Sequence, residues 1–377
     1  MNARKKRVVI LCNFPVWLIN TDIPHPKGHY AVWLVPLAQR FADNEDFEIH
    51  WVTISKLVSK AQRFTYDKQS FHVLPCNSRM LGLYTLYIQD RIRIRREINL
   101  IAPDIIHSWG TEGVYGLCAK DYSPRCVWIH SVQGLLKAYI ERGPMPRFFR
   151  HHSIYEPGVL RACKYITTES PWAAERVRDI SPNAEPLLFE YAVEERFFKE
   201  SRKLSDTPAC LYCGNHTEIK NLKAAVTAFS KPELSHIKLE LAGVEPGSIP
   251  DLPPNIIPLG RLSRDEVVQK LSQTWCLVHP SKADTGPTAA KEARVMGVPV
   301  ILTTECGCKQ YIESGKSGYV ISPDDVDSLV KGVLDITSSR ERCLEMGACG
   351  QDVCRNKLSS STMADTIFHI YNQVLSS

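Results

Sequence analysis

Short apolar runs alternate along the chain with longer stretches in which apolar residues recur at helical spacing, and this alternation occurs in two separate passages. Short apolar runs bounded by polar or glycine-containing segments are typical of buried strands, and the amphipathic stretches between them are typical of helices. Strands that alternate with helices predict parallel sheets with helices on both faces. The predicted strands are 7–13, 47–54, 71–77, 103–109, 125–131 and 165–170 in the first passage, and 209–214, 237–243, 255–260, 274–281, 298–304 and 318–323 in the second.

One polar stretch without a clear period divides the chain into domains. This stretch, 191–208, is predicted to be a linker. We therefore predict an α/β protein with two Rossmann-like, doubly wound parallel-sheet domains, 1–190 and 209–359, that face a central cleft. A last helix within 360–377 is expected either to stay with the second domain or to cross back to the first. The predicted helices are 29–41, 87–102, 221–230, 264–272, 286–296, 309–314, 324–334 and 360–375.

The composition is that of a globular protein, because 44% of the 377 residues are apolar and 23% are charged. No apolar run is long enough to span a bilayer. The basic amino-terminal segment leads into a run broken by Asn13 and Pro15, which predicts a first strand rather than a signal peptide. The 13 cysteines are scattered, and the Cys210–Cys213 pair has no second pair at zinc-binding spacing. We therefore expect reduced thiols and a cytoplasmic location.

Positive charge is concentrated in the first half of the chain. Residues 1–190 contain 25 Lys and Arg against 18 Asp and Glu, whereas residues 191–377 contain 21 against 23. This difference favours an anionic substrate or surface at the first domain, and chance is an equally good explanation. The basic segment 91–98 and the aromatic and basic segment 147–152 are either solvated faces or a contact with an anionic membrane. No nucleic-acid partner is predicted.

The segment 279–304 has the clearest signs of a ligand site. Ligands of parallel α/β sheets bind beyond the carboxyl ends of the strands, and one predicted strand ends near His279. A polar loop with Asp284 then leads to a helix start near Gly286, with proline in the first turn. Unpaired N–H groups and the helix dipole make such a start an anion site. Glu292 follows Asp284 by eight residues, so the two carboxylates can contact one extended ligand with many hydroxyl groups.

The spacing of Asp284 and Glu292 resembles the E-x7-E motif of the retaining family-4 glycosyltransferases, and the following GVPVI is similar to the next strand of that family. The segments YCGNHTEIKNLKAAVTAF, LELAG, NIIPLGRLSRDEV and YIESGKSGYVISPDD also resemble segments of the family. In the first half, PDIIHSWG and VWIHS resemble its strand ends. The likeness is specific over about 205–335 and diffuse over 1–200. It implies the GT-B fold, with two Rossmann-like domains.

The resemblance implies roles for the matching residues. Glu292 would bind the ribose hydroxyls of a nucleotide-diphosphate sugar, and Asp284, in place of the usual Glu, would bind hydroxyls of the donor sugar. Lys220 matches a phosphate-binding lysine and His130 matches a histidine beside the donor sugar, so Lys220, Asp284 and His130 are the candidate catalytic residues. The UDP- or GDP-linked donor would need no metal and no further cofactor. The other candidate donor-binding residues are Gly28, Gly214, Asn215, Arg261, Thr285, Gly286, Pro287, Thr288 and Ala289.

A departure from the family pattern keeps other functions open. Asn215 occupies the position of a phosphate-binding arginine, and Arg261 or Arg294 would have to replace that cation. A nucleotide-sugar epimerase or hydrolase, and a non-catalytic sugar-nucleotide-binding partner, are therefore the alternatives. Asp325 and Asp327 form a D-x-D sequence at a predicted helix start, where acidic residues favour the helix dipole, so we expect no metal site there.

The prediction as a whole is a cytoplasmic, metal-independent, retaining glycosyltransferase that acts in glycan or glycolipid assembly. The resemblance implies that the acceptor binds to the first domain. The acceptor is expected to be a sugar, a lipid-linked compound or another hydroxyl compound. Peripheral contact with the cytoplasmic face of an anionic membrane is consistent with the basic surplus of that domain.

Overall fold

The chain consists of two units, each built on its own sheet. The computed structural model describes residues 4–26, 31, 33–76, 82, 84–111, 113–215 and 217–376. Unit 1 contains Met1–Lys137, Pro146–Ala192 and Ser360–Ser377, and unit 2 contains Ala138–Met145 and Val193–Ser359. The last helix therefore groups with unit 1, and a short segment from the first half of the chain groups with unit 2.

The sheet of unit 1 has eight strands among the described residues, and its neighbouring strands are parallel except for one antiparallel pair. The strands are β1 (Lys6–Leu11), β2 (Phe47–Ser55), β3 (Gln62–Tyr66), β4 (Gln69–Pro75), β5 (Ile105–Trp109), β6 (Val127–Ser131), β7 (Tyr165–Thr168) and β8 (Glu185–Leu188). Their order is β3-β4-β2-β1-β5-β6-β7-β8. The four last residues of β1 are fully buried, because a central strand is covered by helices on both faces. All six strands predicted in this passage are present.

The sequence pattern does not predict β3 or β8, which lie at the two edges of the sheet. In β3 only alternate residues are half-buried, and β8 is short, with no fully buried residue. The hairpin between β3 and β4 turns at Asp67 and Lys68, which both have positive φ angles. A turn of this geometry usually contains glycine or asparagine, so its sequence signal is absent here.

The helices of unit 1 pack against its strands and against one another. The last one, Ser360–Ser376, packs against the first and buries Met363, Ile367, Tyr371 and Val374 at helical spacing. The hydroxyl group of Tyr371 is hydrogen-bonded to His107 of β5 at 2.8 Å. The helices are α1 (Leu34–Phe41), α2 (Ile88–Ile101), α3 (Val114–Tyr122), α4 (Leu136–Arg142, shared with unit 2), α5 (Arg147–Leu160), α6 (Pro171–Ile180) and α14 (Ser360–Ser376).

Unit 2 has a six-stranded, wholly parallel sheet among its described residues. The strands are β9 (Ala209–Cys213), β10 (Lys238–Ala242), β11 (Ile256–Gly260), β12 (Cys276–His279), β13 (Val300–Thr303) and β14 (Gly318–Ile321), and all six were expected from the apolar runs. Their order, β11-β10-β9-β12-β13-β14, is that of a dinucleotide-binding Rossmann sheet, whose direction of winding reverses between β9 and β12. The helices are α7 (Glu195–Lys199), α8 (Leu222–Phe229), α9 (Arg264–Gln273), α10 (Thr288–Val295), α11 (Val326–Ile336), α12 (Arg340–Ala348) and α13 (Gln351–Lys357).

Two predictions about the second half are wrong. The stretch 191–208 is not a separate linker, because Val193 and the fully buried Phe197 of α7 pack into the core of unit 2. Arg202 also anchors it by donating hydrogen bonds to the carbonyl groups of Gly297 and Thr274. The predicted helix 309–314 is a 3₁₀ turn at Gly307–Tyr311, too short to show a helical period. In the part of the chain that the structure describes, no helix is both long and apolar enough to cross a bilayer.

Candidate active site

Two loops that follow β9 and β12 meet at the point where the winding of the unit 2 sheet reverses. The loop after β9 begins with Gly214 and Asn215 and leads through a 3₁₀ turn at Glu218–Lys220. Gly243, which follows β10, has φ +90°, and a Cβ atom there would lie 2.6 Å from the carbonyl oxygen of Gly214. Glycine is therefore required for the close approach of these two strand ends.

Asn215 organises the loop after β9 and stands where the resemblance implied an arginine. Its side-chain oxygen accepts hydrogen bonds from the N–H group (3.2 Å) and the hydroxyl group (2.7 Å) of Thr217. The hydroxyl group of Tyr212 donates to the Asn215 carbonyl oxygen at 2.8 Å. The residue thus shapes the loop that leads to Lys220 and contributes no positive charge.

Lys220 and Asp284 form an ion pair, with 2.6 Å between Nζ and Oδ2. Burial alone would raise the pKa of Asp284, but the ammonium group of Lys220 and a hydrogen bond from His279 outweigh it and hold this pKa well below its usual range. Burial opposes the charge of Lys220, and Asp284 overcomes that effect and raises the pKa of the lysine. Both groups are therefore ionised at neutral pH, and the half-buried lysine remains accessible to a ligand.

His279, at the end of β12, supports Asp284 from the protein interior. Its Nε2 atom lies 3.2 Å from Asp284 Oδ2 and 2.9 Å from the hydroxyl oxygen of Ser281. Burial, together with the charge of Lys220, lowers the pKa of His279. The neutral ring carries its proton on Nε2, because a carboxylate can only accept a hydrogen bond. The sequence pattern placed His279 at a strand end without identifying it as a site residue, and that position is the signal that could have found it.

The sequence predicted that backbone N–H groups between Asp284 and the start of α10 bind an anion. Some of these N–H groups are already hydrogen-bonded within the protein. The N–H group of Thr285 donates to the hydroxyl group of Tyr139 (3.2 Å), and that of Gly286 donates to Asp284 Oδ1 (3.3 Å). Pro287 is the N-cap residue of α10, and its carbonyl oxygen accepts hydrogen bonds from the N–H groups of Ala290 and Lys291. Among the described residues, the N–H groups of Thr288 and Ala289 have no acceptor, so these two suit a phosphate group.

Tyr139 comes from the first half of the chain, within the segment Ala138–Met145 that groups with unit 2. Besides the contact with Thr285, this segment is tied to unit 2 by Arg142, which donates a hydrogen bond to Glu305 at 3.1 Å. Nothing in the sequence indicates this contact, because no motif or periodicity connects positions so far apart.

Glu292 lies on α10 and is almost fully buried. Its carboxylate pairs with the guanidinium group of Arg264 at the start of α9, and Arg264 also donates to Glu194 at 2.7 Å. Burial raises the pKa of Glu292 to about 7, although Arg264 opposes this effect. The sequence identified Glu292 but not Arg264. Arg264 influences both the position and the charge of Glu292, the side chain predicted to bind the ribose.

The raised pKa of Glu292 predicts a pH-dependent affinity for sugar nucleotides. Glu292 is protonated below a pH of about 7 and ionised above it. Only the ionised form accepts two strong hydrogen bonds from ribose hydroxyl groups. We therefore expect the affinity for a UDP- or GDP-sugar to rise between a pH of about 6 and about 8, a range in which its diphosphate diester does not titrate. Calorimetric titration should show that Glu292→Gln lacks this rise, and an unchanged slope in the variant would assign it to another group.

His130 is a buried side chain near the carboxyl end of its strand. It lies in β6 of unit 1, fully buried, with Nδ1 hydrogen-bonded to the hydroxyl group of Ser108 at 2.8 Å. A Cβ atom on Gly116 of α3 would lie 3.1 Å from its ring, so the ring packs against that helix. Burial lowers the pKa of His130 to about 3. The predicted position of His130 beside a donor sugar stays a prediction.

Three further residues that the sequence suggested for donor binding have different outcomes. Arg294 is buried and donates to the carbonyl groups of Val298 and Gly347, so it cannot replace the missing phosphate cation. Arg261 directly follows β11, is exposed and stays a candidate. The prediction for Gly28 lies outside the described residues.

The described part of the chain contains no cluster of three His, Cys, Asp or Glu side chains that could hold a metal ion. Asp325 caps α11 by accepting a hydrogen bond from the N–H group of Ser328 at 2.9 Å. Asp327 pairs with Lys231. The D-x-D sequence is thus part of a helix start, as the sequence predicted.

Comparisons with known proteins agree with this architecture. Residues 193–353 match the family model described as glycosyl transferases group 1. Sucrose-phosphate synthase from Thermosynechococcus elongatus has a TM-score of 0.80 at 14% identity over 99% of this chain and 100% of that one. Anabaena HepE in complex with UDP and glucose has a TM-score of 0.73 at 11% identity over 98% and 100%. A glycosyltransferase from Rickettsia africae has a TM-score of 0.70 at 14% identity over the whole of both chains. No curated protein sequence matches the chain.

At these identities the solved structures show the fold, and they show it over nearly the whole chain. The predicted GT-B fold is confirmed, whereas membership of family 4 stays a prediction. The chain therefore has the GT-B fold, and its residues 193–353 match the group 1 glycosyltransferases.

Proposed function

We propose that the protein is a retaining glycosyltransferase that moves a sugar from a nucleotide-diphosphate sugar to an acceptor hydroxyl group. The observation that carries the proposal is the ion pair between Lys220 and Asp284 at the reversal point of the unit 2 sheet. A cation and a carboxylate at this edge, beside the start of α10, match the phosphate and sugar ends of such a donor. The match to group 1 glycosyltransferases over the same residues supports it.

The donor would change the partner of Lys220. In the free protein, Asp284 holds the ammonium group in place. The β-phosphate would compete for that ammonium group, with the N–H groups of Thr288 and Ala289 as further donors. Asp284 would then be available for the sugar hydroxyl groups, and Glu292 for the ribose.

Charge on the leaving phosphate is the main requirement of the reaction. As the bond between the anomeric carbon and the β-phosphate oxygen breaks, Lys220 and the start of α10 stabilise the developing negative charge. The acceptor oxygen bonds to the anomeric carbon on the same face, and its proton passes to the leaving phosphate. This route retains the configuration and requires no nucleophile from the protein.

A pocket of unit 1 is the candidate acceptor site. It has a volume of about 260 Å³ and lies at the carboxyl ends of β1, β2 and β4. Aromatic rings of Tyr87, Tyr115 and Phe148 line it together with polar groups of Asn13 and Lys56. Aromatic walls with a few polar groups suit a small hydroxyl compound, such as a sugar.

Incubation with UDP- and GDP-linked sugars and a range of acceptors tests the proposal. Release of the diphosphate together with a product of retained anomeric configuration, established by NMR, would support it. Inverted configuration would overturn the retaining mechanism. Binding of a sugar nucleotide without transfer or hydrolysis would favour a non-catalytic binding protein, and epimerised donor would favour an epimerase.

We expect activity to survive removal of divalent cations. The cation that faces the leaving phosphate is an ammonium group of the chain itself, so magnesium is not needed to neutralise it. The measurement is initial rates with and without EDTA. Loss of activity in EDTA that magnesium or manganese restores would contradict this expectation.

A further inference from the structure

The outward face of α2 in unit 1 exposes large apolar side chains where a surface helix normally presents polar ones. Ile88 and Ile92 lie one turn apart, with 55% and 45% of their surface exposed, and Leu100 is 73% exposed. At 3.6 residues per turn, Arg95 and Arg96 lie on the two sides of the same face, and both are exposed. The face therefore combines apolar side chains with arginines.

The two acidic residues of α2 do not contribute charge to this face. Asp90 is buried and pairs with Arg93 at 3.0 Å. Glu97 is buried and accepts hydrogen bonds from Arg63 (2.6 Å) and His72 (2.7 Å). Both carboxylates are therefore neutralised inside unit 1.

The four arginines of α2 differ in whether a carboxylate neutralises them. Arg91 pairs with Asp121 of α3. In the described part of the chain, Arg95 and Arg96 have no carboxylate partner within ion-pair distance. The outward face of α2 is therefore positively charged.

Helix α5 has the same combination of side chains. It exposes Arg147, Arg150 and Ile154, of which the isoleucine is 69% exposed. Its one carboxylate, Glu156, is fully buried and accepts hydrogen bonds from two backbone N–H groups at the start of α4, both at 2.8 Å. Its outward side chains are thus basic and apolar, without an acid.

The two helices belong to one layer of unit 1. Helix α3 packs against both of them. The hydroxyl group of Tyr87, directly before α2, is hydrogen-bonded to Nε2 of His152 on α5 at 2.8 Å. We refer to a set of exposed apolar and basic residues of α2 and α5 as the α2–α5 face, and its members are Ile88, Ile92, Arg95, Arg96, Arg147, Arg150 and Ile154.

We propose that unit 1 binds the surface of an anionic lipid bilayer through the α2–α5 face. Isoleucines enter the boundary between head groups and acyl chains, and arginines reach the lipid phosphates while their stems lie along the apolar region. Each basic residue near an anionic surface strengthens binding by about fivefold. A second copy of the chain does not fit this face, since pairing two copies would bring arginines against arginines.

The face also borders the candidate acceptor pocket. Tyr87, before α2, and Phe148, in the first turn of α5, both line that pocket. Docking therefore places the pocket beside the lipid surface, where a lipid-linked acceptor would enter. This second step rests on the proposed function, whereas membrane binding itself does not.

Sedimentation of the full chain with vesicles tests the proposal. Vesicles that contain phosphatidylglycerol should bind the protein, and pure phosphatidylcholine vesicles should bind it far less. Raising the salt concentration should weaken binding, because salt screens the arginines. Changing Arg95 and Arg96 together to Gln should lower the partition coefficient by about 30-fold. Changing Ile88 and Ile92 together to Ser should lower it by about tenfold, since the side chains no longer enter the bilayer.

Two double variants of unit 2 serve as matched controls. Leu344 and Val353 are exposed apolar residues, and Lys331 and Lys357 are exposed cations. Changing Leu344 and Val353 to Ser should leave vesicle binding unaltered, and so should changing Lys331 and Lys357 to Gln.

Equal losses in these controls, or binding to neither kind of vesicle at low salt, would overturn the proposal. A protein dimer that dissociates in the Ile88→Ser, Ile92→Ser variant would assign the face to a second copy instead. Vesicle binding by a protein without transferase activity would leave this proposal standing and refute the proposed function.

Discussion

Replacing Lys220 with alanine is expected to lower kcat by about 10²–10³-fold while the binding of the free diphosphate weakens much less. The ammonium group faces the position where negative charge grows as the donor bond breaks, and a preorganised donor at such a position is worth about this factor. Its position is fixed before the donor arrives, because Asp284 holds it at 2.6 Å. Steady-state rates and calorimetric titration with the diphosphate measure the two effects separately.

Lys282→Ala is the matched control for this prediction. Lys282 is half-buried in the same loop as Asp284, but its ammonium group pairs with Glu218 at 2.5 Å. If a specific contact with the leaving phosphate matters, the control should retain nearly full turnover. A Lys220→Ala protein with a raised KM and unchanged kcat would place this lysine in ground-state binding. Thermal unfolding of each variant should accompany the rates, since Asp284 loses its main counter-charge without Lys220.

The sequence predicted the sheet strands well because buried parallel strands have a strong local signal. The last four residues of the central strand β1 form an apolar run. In unit 2, β12 and β13 are apolar runs that end in a polar residue. The edge strands β3 and β8 lack this signal, because only part of each is buried. The same limit explains the false linker, where one buried phenylalanine, Phe197, anchors a stretch that is otherwise polar.

Part of the candidate site could also be predicted, because strand ends at the reversal point of a parallel sheet must meet. Lys220 and Asp284 are 64 residues apart and follow strands that are neighbours in the sheet, so their pairing agrees with the topology. Contacts that depend on side-chain direction could not be predicted. His130 is one residue before the end of β6, and the alternation along a strand turns its ring into the core.

Contacts between side chains of elements that are far apart in the sequence also could not be predicted. Arg264 lies between Ser263 and Glu266, which form the capping box at the start of α9, and would ordinarily be assigned to solvent, yet it pairs with Glu292. Tyr139 precedes Thr285 by 146 residues, and its hydroxyl group still accepts a hydrogen bond from the N–H group of Thr285. Such contacts follow from how elements pack in three dimensions, and local periodicity contains no information about them.

The two carboxylates of the motif are expected to separate in their effects on the nucleotide. Glu292→Ala should weaken the binding of the diphosphate alone by about 10–100-fold, since it loses charge-assisted hydrogen bonds to the ribose worth about 1.5–3 kcal/mol. Glu194→Gln is the matched control, because Glu194 shares Arg264 but lies outside α10. Unchanged affinity in Glu292→Ala would refute the assignment to the ribose.

Asp284→Asn should behave in the opposite way, because this carboxylate competes with the donor for Lys220. The amide keeps the shape of the side chain and its contact with His279 but removes the negative charge that holds the ammonium group. The diphosphate should therefore bind as well as before or more tightly. Turnover of the whole sugar nucleotide should fall by about 10–100-fold, since the charge-assisted hydrogen bonds to the donor sugar are weakened. Calorimetry with the diphosphate and rate measurements with the donor test both halves. Parallel losses in the two assays would mean that Asp284 positions the phosphate site as a whole rather than contacting the sugar.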